Sequence, residues 1–455
     1  MTRKEKQVNP NKVGFSTMLL WCGNGASAAV QVVLLGYLTI YCTNALGLSA
    51  GLVGTLLMVS KIFDGVTDLC AGYIVDKTNT RIGRGRPYDL CIIGLWITTW
   101  LIFSVPTSMA TAAKCAWIFI CYALCQSIFK TFMTAAGTPY MVRAFNNEQK
   151  YVKLSSWGGL LTTVVIMVFN VVFPMFYAKV ISDPSGWSSL VAYIAIPACI
   201  IGSLRFFFIP EKYVVDDVEN EHTTLKDILI LLKTNKQIYP IAILQLVLGI
   251  AGNLSVAGYY FLYIVGNLEI SGVMSMFTVI AMLTLLFYPI LLKKISTKQL
   301  IQYSLLLSVG SGLVGFFAYN NLVMLAIAGI ILGMVTLPAS YMFGLLTIDC
   351  ADYNEWQGRP RMEGTLSSVT GFANKIGAAF GTFLTGILLT MSGFDGTLTT
   401  QPDSAILMIR ACYSLVPMAF FLLAAFALKF YHLDKQKTQI NADLEERRKK
   451  LVTDK

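Results

Sequence analysis

Residues 209–227 read IPEKYVVDDVENEHTTLKD, and they open the one long polar break, 210–236, inside an otherwise apolar chain. A membrane-crossing helix needs about 20 largely apolar residues. Working outward from the break, six such runs precede it, near 14–43, 50–75, 88–107, 112–142, 154–179 and 187–209. Six follow it, near 237–266, 270–292, 299–319, 322–349, 363–391 and 405–431. The pattern predicts an all-α membrane protein with twelve transmembrane helices. It divides into an N-terminal six-helix bundle at 1–209, a central cytoplasmic loop at 210–236, a C-terminal six-helix bundle at 237–431 and a cytoplasmic tail at 432–455. The tail reads as a charged, solvated helix of little chemical consequence.

Composition points the same way. Hydrophobic residues make up 55% of the 455 and charged ones only 13%, too few to cover a soluble domain of this size. Lipid is the solvent such a chain asks for. The net charge of +10 would suggest nucleic acid if it were spread over a soluble surface. Instead the basic residues cluster between apolar runs, which is how topology is set, so no nucleic-acid partner is expected. Inside segments carry Arg3, Lys4, Lys6 and Lys12, then Lys77, Arg81, Arg84 and Arg86, then Arg143, Lys150 and Lys153. Lys293, Lys294, Lys298, Arg359, Arg361 and the basic tail continue the series, while outside segments hold little beyond Lys114 and Lys179. Both termini are therefore expected in the cytoplasm, with the chain in the inner cell membrane. The first dozen residues are charged, but the run after them is long and lacks a cleavage site at signal-peptide spacing, so it reads as a retained span.

Ten cysteines lie nearly all within apolar runs, with no C-x-x-C, and only His222 and His432 are available as imidazoles. Buried free thiols are expected, with neither a metal site nor a disulfide framework. No histidine dyad, nucleophile elbow or metal-ligand spacing is present, so neither an enzyme nor a cofactor is expected.

The chemistry sits in ionisable residues deep in apolar runs, where each costs ~2.5–3.5 kcal/mol on insertion scales and normally faces the protein interior. The second run, LMVSKIFDGVTDLCAGYIVD, places Asp64 and Asp68 four apart on one helix face with Lys61, Gly65 and Gly72. Two carboxylates so close in a low dielectric must share a proton, hold a cation or take a lysine as partner. A cation- or proton-coupling site meets that requirement; a structural Lys61–Asp64 pair is the plainer alternative. Lys130 lies midway along the fourth run with Thr134 and Thr138 on its face and Thr131 beside it, and Lys375 lies midway along the eleventh. These ammonium groups either neutralise the carboxylates or meet a negatively charged or hydroxyl-rich substrate. The Gly, Ala, Ser and Thr content of the eleventh run is a helix-packing device. Trp21, Trp157 and Phe129 have faces suited to a sugar ring, although such residues in membrane helices more often serve as core or interface anchors.

Two inside loops pair acids with arginines. One holds Asp76, Arg81 and Arg84; the other holds Asp352, Glu355, Arg361 and Glu363. Contacts that form and part between them would make a gate. The six-plus-six arrangement with its charged central loop fits the major facilitator architecture, two pseudo-symmetric bundles rocking about a midplane site.

The sequence resembles the glycoside–pentoside–hexuronide:cation symporters along its whole length. The resemblance is strongest in GLSAGLVGTLLMVSKIFDGVTDLCAGYIVDKTNTRIGRGRPY (47–88) and TIDCADYNEWQGRPRMEGTLSSVTGFANKIGAAFG (347–381). It implies that Asp64 and Asp68 are the paired cation-site aspartates, with Thr67 where sodium users often carry Asn and Thr131 beside the cation. It implies further that Lys375 links the coupling and sugar sites, and that Asp352, Glu355, Arg361 and Glu363 form an inner-loop network. Ala28 and Thr134 stand where relatives carry aspartates for galactoside hydroxyls, Thr138 replaces a tryptophan, and Lys130 stands where an aromatic residue is expected. A site that loses two carboxylates and gains an ammonium favours an anionic ligand.

The expectation is a cation-coupled symporter of a sugar or glycoside, monomeric, driven by H⁺ or Na⁺. Cation binding rests on Asp64, Thr67, Asp68 and Thr131, and substrate binding on Lys130, Thr134, Thr138 and Lys375. Alternatives are a carrier of an acidic sugar such as a hexuronide, a uniporter in which Lys130 replaces the coupling cation, and a membrane sensor or scaffold, although no soluble signalling domain is present.

Overall fold

A computed structural model describes residues 13–145, 148–212, 233–359 and 363–453. Among the described residues regular structure is helical throughout, with a single isolated β-bridge between Thr80 and Gly83. Each apolar run carries helix. Nine helices, from Phe15–Ala45 to Asp403–Phe430, are long and apolar enough to cross a membrane by length and composition among the described residues. Three runs are not among them. Ala50–Lys77 is a 28-residue helix that carries the second run. The third run is α-helical only over Cys91–Ile102, after a 3-10 turn at Arg86–Leu90. It stops short of the expected 107, ending in a turn at Phe103. The eighth run is broken into Ile270–Ile280, a 3-10 stretch Ala281–Phe287, and Tyr288–Leu291.

Helix starts follow local chemistry. Ser296 and Gln299 form a reciprocal capping box ahead of Thr297–Leu306. Asn321 accepts the amides of Val323 and Met324, and Asp183 caps the helix that begins at Pro184. The Ser185 hydroxyl and amide donated to Asp183 hold its carboxyl below the ordinary carboxylate range.

The chain forms two compact units, Met1–Leu48 with Phe63–Glu219, and Ser49–Ile62 with Asn220–Lys455. The Ala50–Lys77 helix thus contributes its first part to the second unit and its remainder to the first. In the first unit, Trp21, Cys22, Tyr140, Leu154 and Ile209 form a buried cluster. In the second, the Ile238–Gly252 and Glu363–Met391 helices lie backbone to backbone. A Cβ on Gly377 would overlap the carbonyl of Leu246, and one on Gly381 that of Ile250. The small residues of the eleventh run are what permit this approach.

The tail departs from the expectation of a merely solvated segment. Leu433–Thr453 is a helix whose Leu433, Ile440 and Leu444 are buried in one cluster with Ile301, Leu346, Cys350 and Tyr431. Lys437 forms a 2.6 Å ion pair with Asp349, and Trp356 Nε1 donates to Asp443 Oδ2 at 2.8 Å. Leu433, Ile440 and Leu444, seven and four residues apart, share one face beneath the charges and dock it on the Leu322–Trp356 helix. The nine described cysteines are free thiols.

Candidate functional site

In the first unit the structure brings together residues from two helices. Thr131 Oγ1 donates to Asp64 Oδ1 at 3.2 Å, and also to Gln126 O at 3.1 Å. The second acceptor lies five residues back because Leu124–Lys130 is a π-helical turn, a local widening frequent at functional sites. The turn ends on Lys130, whose ammonium lies within Coulombic reach of Asp64. Thr67 Oγ1 donates to the Asp64 carbonyl at 3.0 Å, leaving its oxygen lone pairs as potential ligands. Asp64, Thr67, Lys130 and Thr131 are thus brought close to one another in the first unit. The side chains of Asp68, Asp76 and Glu363, and Arg361 altogether, lie outside what is described.

Lys130 opens onto a cavity of about 320 Å³ whose walls include Asn24, Ala28, Thr134, Ser155, Thr162 and Arg205. Thr134 and Ala28 line it, whereas Thr138, exposed on the same helix, is not part of its wall. Trp21 borders the cavity but is buried against Tyr140 and Phe145, with ring centroids 5.2 Å away in each case. It packs the base and does not offer an open face.

Arg205 was missed by sequence reasoning. Its guanidinium forms a bidentate pair with buried Asp89, Nε donating to Oδ2 at 2.7 Å and Nη2 to Oδ1. It also lies over the rings of Trp21 and Tyr140, at 4.5 and 5.1 Å. The signal was there: Arg205 interrupts the apolar string GSLRFFF, the criterion that singled out Lys130.

In the second unit, Lys61 Nζ donates to Asn253 Oδ1 at 2.7 Å, Thr382 Oγ1 at 2.8 Å and Ala378 O at 3.3 Å. These acceptors suffice for the three protons of an ammonium. Asn253 is exposed to it where the Ile238–Gly252 helix ends. Lys375 lies half-buried on the Glu363–Met391 helix, next to Asn374, which donates to Gln245 O at 3.1 Å.

Of the expected gate residues, Arg81 is exposed, and Arg84 gives its backbone amide to Glu211 Oε2 at 3.0 Å. Asp352 and Glu355 lie half-buried near the C-terminal end of Leu322–Trp356. Neighbouring Asp349 takes Lys437 and the Tyr431 hydroxyl, the latter at 3.3 Å.

The chain as a whole is similar to known proteins. The chain is 28% identical over 425 residues to an isoprimeverose transporter of Lactiplantibacillus pentosus, covering 90% of this chain and 87% of that one. It is 27% identical to a glucuronide carrier protein homolog of Escherichia coli (strain K12), covering 91% of each. Its fold matches the crystal structure of a D-xylose-proton symporter with a TM-score of 0.63 at 15% identity, over 91% of this chain and 97% of that one. The profile of the MFS/sugar transport protein family matches residues 20–435. The resemblance carried by the 47–88 and 347–381 motifs is borne out, and the chain belongs to the MFS/sugar transport protein family: it is a membrane transporter and not an enzyme.

Proposed function

We propose that the chain is a cation-coupled symporter that carries a sugar or glycoside by alternating access. The observation that carries this reading is the Thr131 hydroxyl set on the Asp64 carboxylate, a step from Lys130 and its hydroxyl-lined cavity. A carboxylate and hydroxyl oxygens are the donor set a small hard cation or a proton takes. Discharging Asp64 removes a charge from the membrane interior, and the free energy so released is available to favour the state that releases sugar. The names of relatives, a transporter of isoprimeverose and a carrier homolog for glucuronides, support a sugar or glycoside as cargo. In this reading the twelve helical runs are twelve crossings, both termini are cytoplasmic, the two bundles are 1–209 and 237–431, and the protein works as a monomer in the cell membrane. Asp68 completes the cation site, and Lys375 reports its occupancy to the cavity. Asp76, Arg81, Arg84, Asp352, Glu355, Arg361 and Glu363 form the cytoplasmic gate.

A second reading, an acidic sugar as cargo, is favoured by the cavity wall. Among the described residues it carries Lys130 and no carboxylate, the other lining cation, Arg205, being paired with Asp89. The test is uptake of labelled neutral and acidic glycosides into proteoliposomes, with proton and sodium gradients imposed separately. Gradient-driven accumulation of a member of the panel is expected; flux that ignores both gradients would leave only a uniporter, and no flux at all would end the transport reading.

A further inference from the structure

Glu211 stands two residues into what reads as a featureless polar linker, yet in the first unit its carboxylate accepts three successive backbone amides. Oε2 accepts the Arg84 amide at 3.0 Å, and Oε1 accepts the amides of Gly85 at 2.8 Å and Arg86 at 2.7 Å. Three successive backbone N–H groups converging on one anion form a nest, and bonds to an ionised acceptor are the strong kind. The loop is shaped for this occupant. Gly83 has φ +124°, which side chains rarely adopt, and a Cβ there would overlap the Glu211 carboxylate. On the other side a Cβ on Gly85 would meet Ala136 O and Tyr140 Cβ, each at 2.7 Å.

The segment bearing Glu211 is itself pinned. The Lys212 amide donates to Arg143 O at 3.0 Å, and the Tyr140 hydroxyl donates to Ile209 O. Arg86 Nε donates to Phe206 O at 2.8 Å, at the end of the Pro184–Phe208 helix. Glu211 therefore ties the loop that follows Ala50–Lys77 to the end of Thr131–Phe145. Those two helices carry Asp64 and Thr131. A helix transmits axial displacement along its length, since each residue is held at about 1.5 Å rise by its ladder of hydrogen bonds. A slip at the clamped ends would open the 3.2 Å Thr131–Asp64 contact.

We propose that Glu211 is a positioning residue for the cation site: a carboxylate seated in the 84–86 amide nest that keeps the helices bearing Asp64 and Thr131 in register. The inference rests on the transport reading for its functional consequence, but the clamp itself is measurable without any substrate.

The experiment uses the full chain reconstituted in liposomes, as wild type, Glu211→Gln and Glu211→Ala. Hydrogen exchange is followed at the amides of 84–86, and the cation dependence of sugar uptake is titrated with protons and with sodium. Glu211→Ala is expected to speed exchange at those amides and to raise the half-saturating cation concentration on the order of tenfold, leaving the maximal rate at saturating cation nearly unchanged. Glu211→Gln, with one acceptor oxygen and no charge, should fall between. Formate added to Glu211→Ala should enter the vacated nest and restore both readouts, which it would not do for a protein that had merely misfolded. Equal amide exchange in wild type and Glu211→Ala overturns the clamp. Faster exchange with an unchanged cation titration overturns the positioning role while transport stands. A wild-type protein that moves no sugar removes the transport reading and the positioning role together, while amide protection still reports the nest.

Discussion

The hydroxyl of Thr131 rests 3.2 Å from a carboxylate oxygen of Asp64, joining two helices whose residues are 67 apart in sequence. That hydroxyl can turn its lone pairs toward a cation shared with the carboxylate, so the pair behaves as ligand and supporting ligand. Removing the support should weaken the cation more than the sugar. In Thr131→Val the half-saturating cation concentration is expected to rise by roughly tenfold or more, the range found when partners of metal ligands are lost. Asp64→Asn should abolish uphill accumulation while equilibrium exchange of labelled sugar persists. Full gradient-driven uptake by Asp64→Asn would show that another group couples transport.

Lys130 discriminates between the two cargo readings. If the cavity receives an acidic sugar, Lys130→Ala loses a charge-assisted bond and competition by acidic glycosides should weaken by one to two orders of magnitude, about 1.5–3 kcal/mol. A neutral cargo would be spared, and its coupling to the cation altered instead. Competition curves for a matched neutral and acidic glycoside on wild type and variant separate the outcomes.

Asp89 and Arg205 are 3% and 8% exposed at their side chains, and each is the other's counter-charge. Stranding one of them should cost ~3–5 kcal/mol, because the survivor keeps its desolvation penalty without its partner. Asp89→Ala should therefore melt well below wild type in detergent. Asp89→Leu combined with Arg205→Met should recover part of the loss, since it removes both charges. Additive losses in that double variant would mean that the ring contacts of Arg205 dominate.

The docked tail makes a stability prediction that a solvated tail would not. Ending the chain after Tyr431 uncovers the surface beneath Leu433, Ile440 and Leu444 and removes Lys437 from Asp349. The truncated protein should still insert but show a clearly lower melting temperature. Lys437→Ala alone should also lower the melting temperature, because Asp349 is 7% exposed and would keep its desolvation penalty without the ammonium. An unshifted melting curve for the truncation would show that the tail contributes nothing by docking.

Gly377 and Gly371 sit on the same helix in opposite circumstances. A Cβ at Gly377 would overlap the carbonyl of Leu246, whereas one at Gly371 meets nothing within 4 Å. Gly377→Val should force the Ile238–Gly252 and Glu363–Met391 helices apart and reduce folded yield sharply, while Gly371→Ala should be silent by size-exclusion profile and thermal melt.

What was legible without coordinates is what lipid imposes residue by residue. Twelve apolar runs, a polar break and basic clusters are local properties, because each span must satisfy its own backbone and each charge is costly in hydrocarbon wherever it stands. The same rule exposed Asp64, Lys130 and Lys375, and the resemblance in 347–381 gave Lys375 its expected role. The rest depended on partners far away in sequence. Arg205 finds Asp89 across 116 residues, Glu211 finds Gly85 across 126, and the tail finds Asp349 through an apolar stripe hidden among charges. Nothing in a string of residues says which amides a lone glutamate will meet, since that is set by how helix ends converge. Tertiary structure alone decided that Lys61 is held by Asn253 and Thr382, and that a glutamate in an unremarkable linker is the anchor of a glycine–arginine loop.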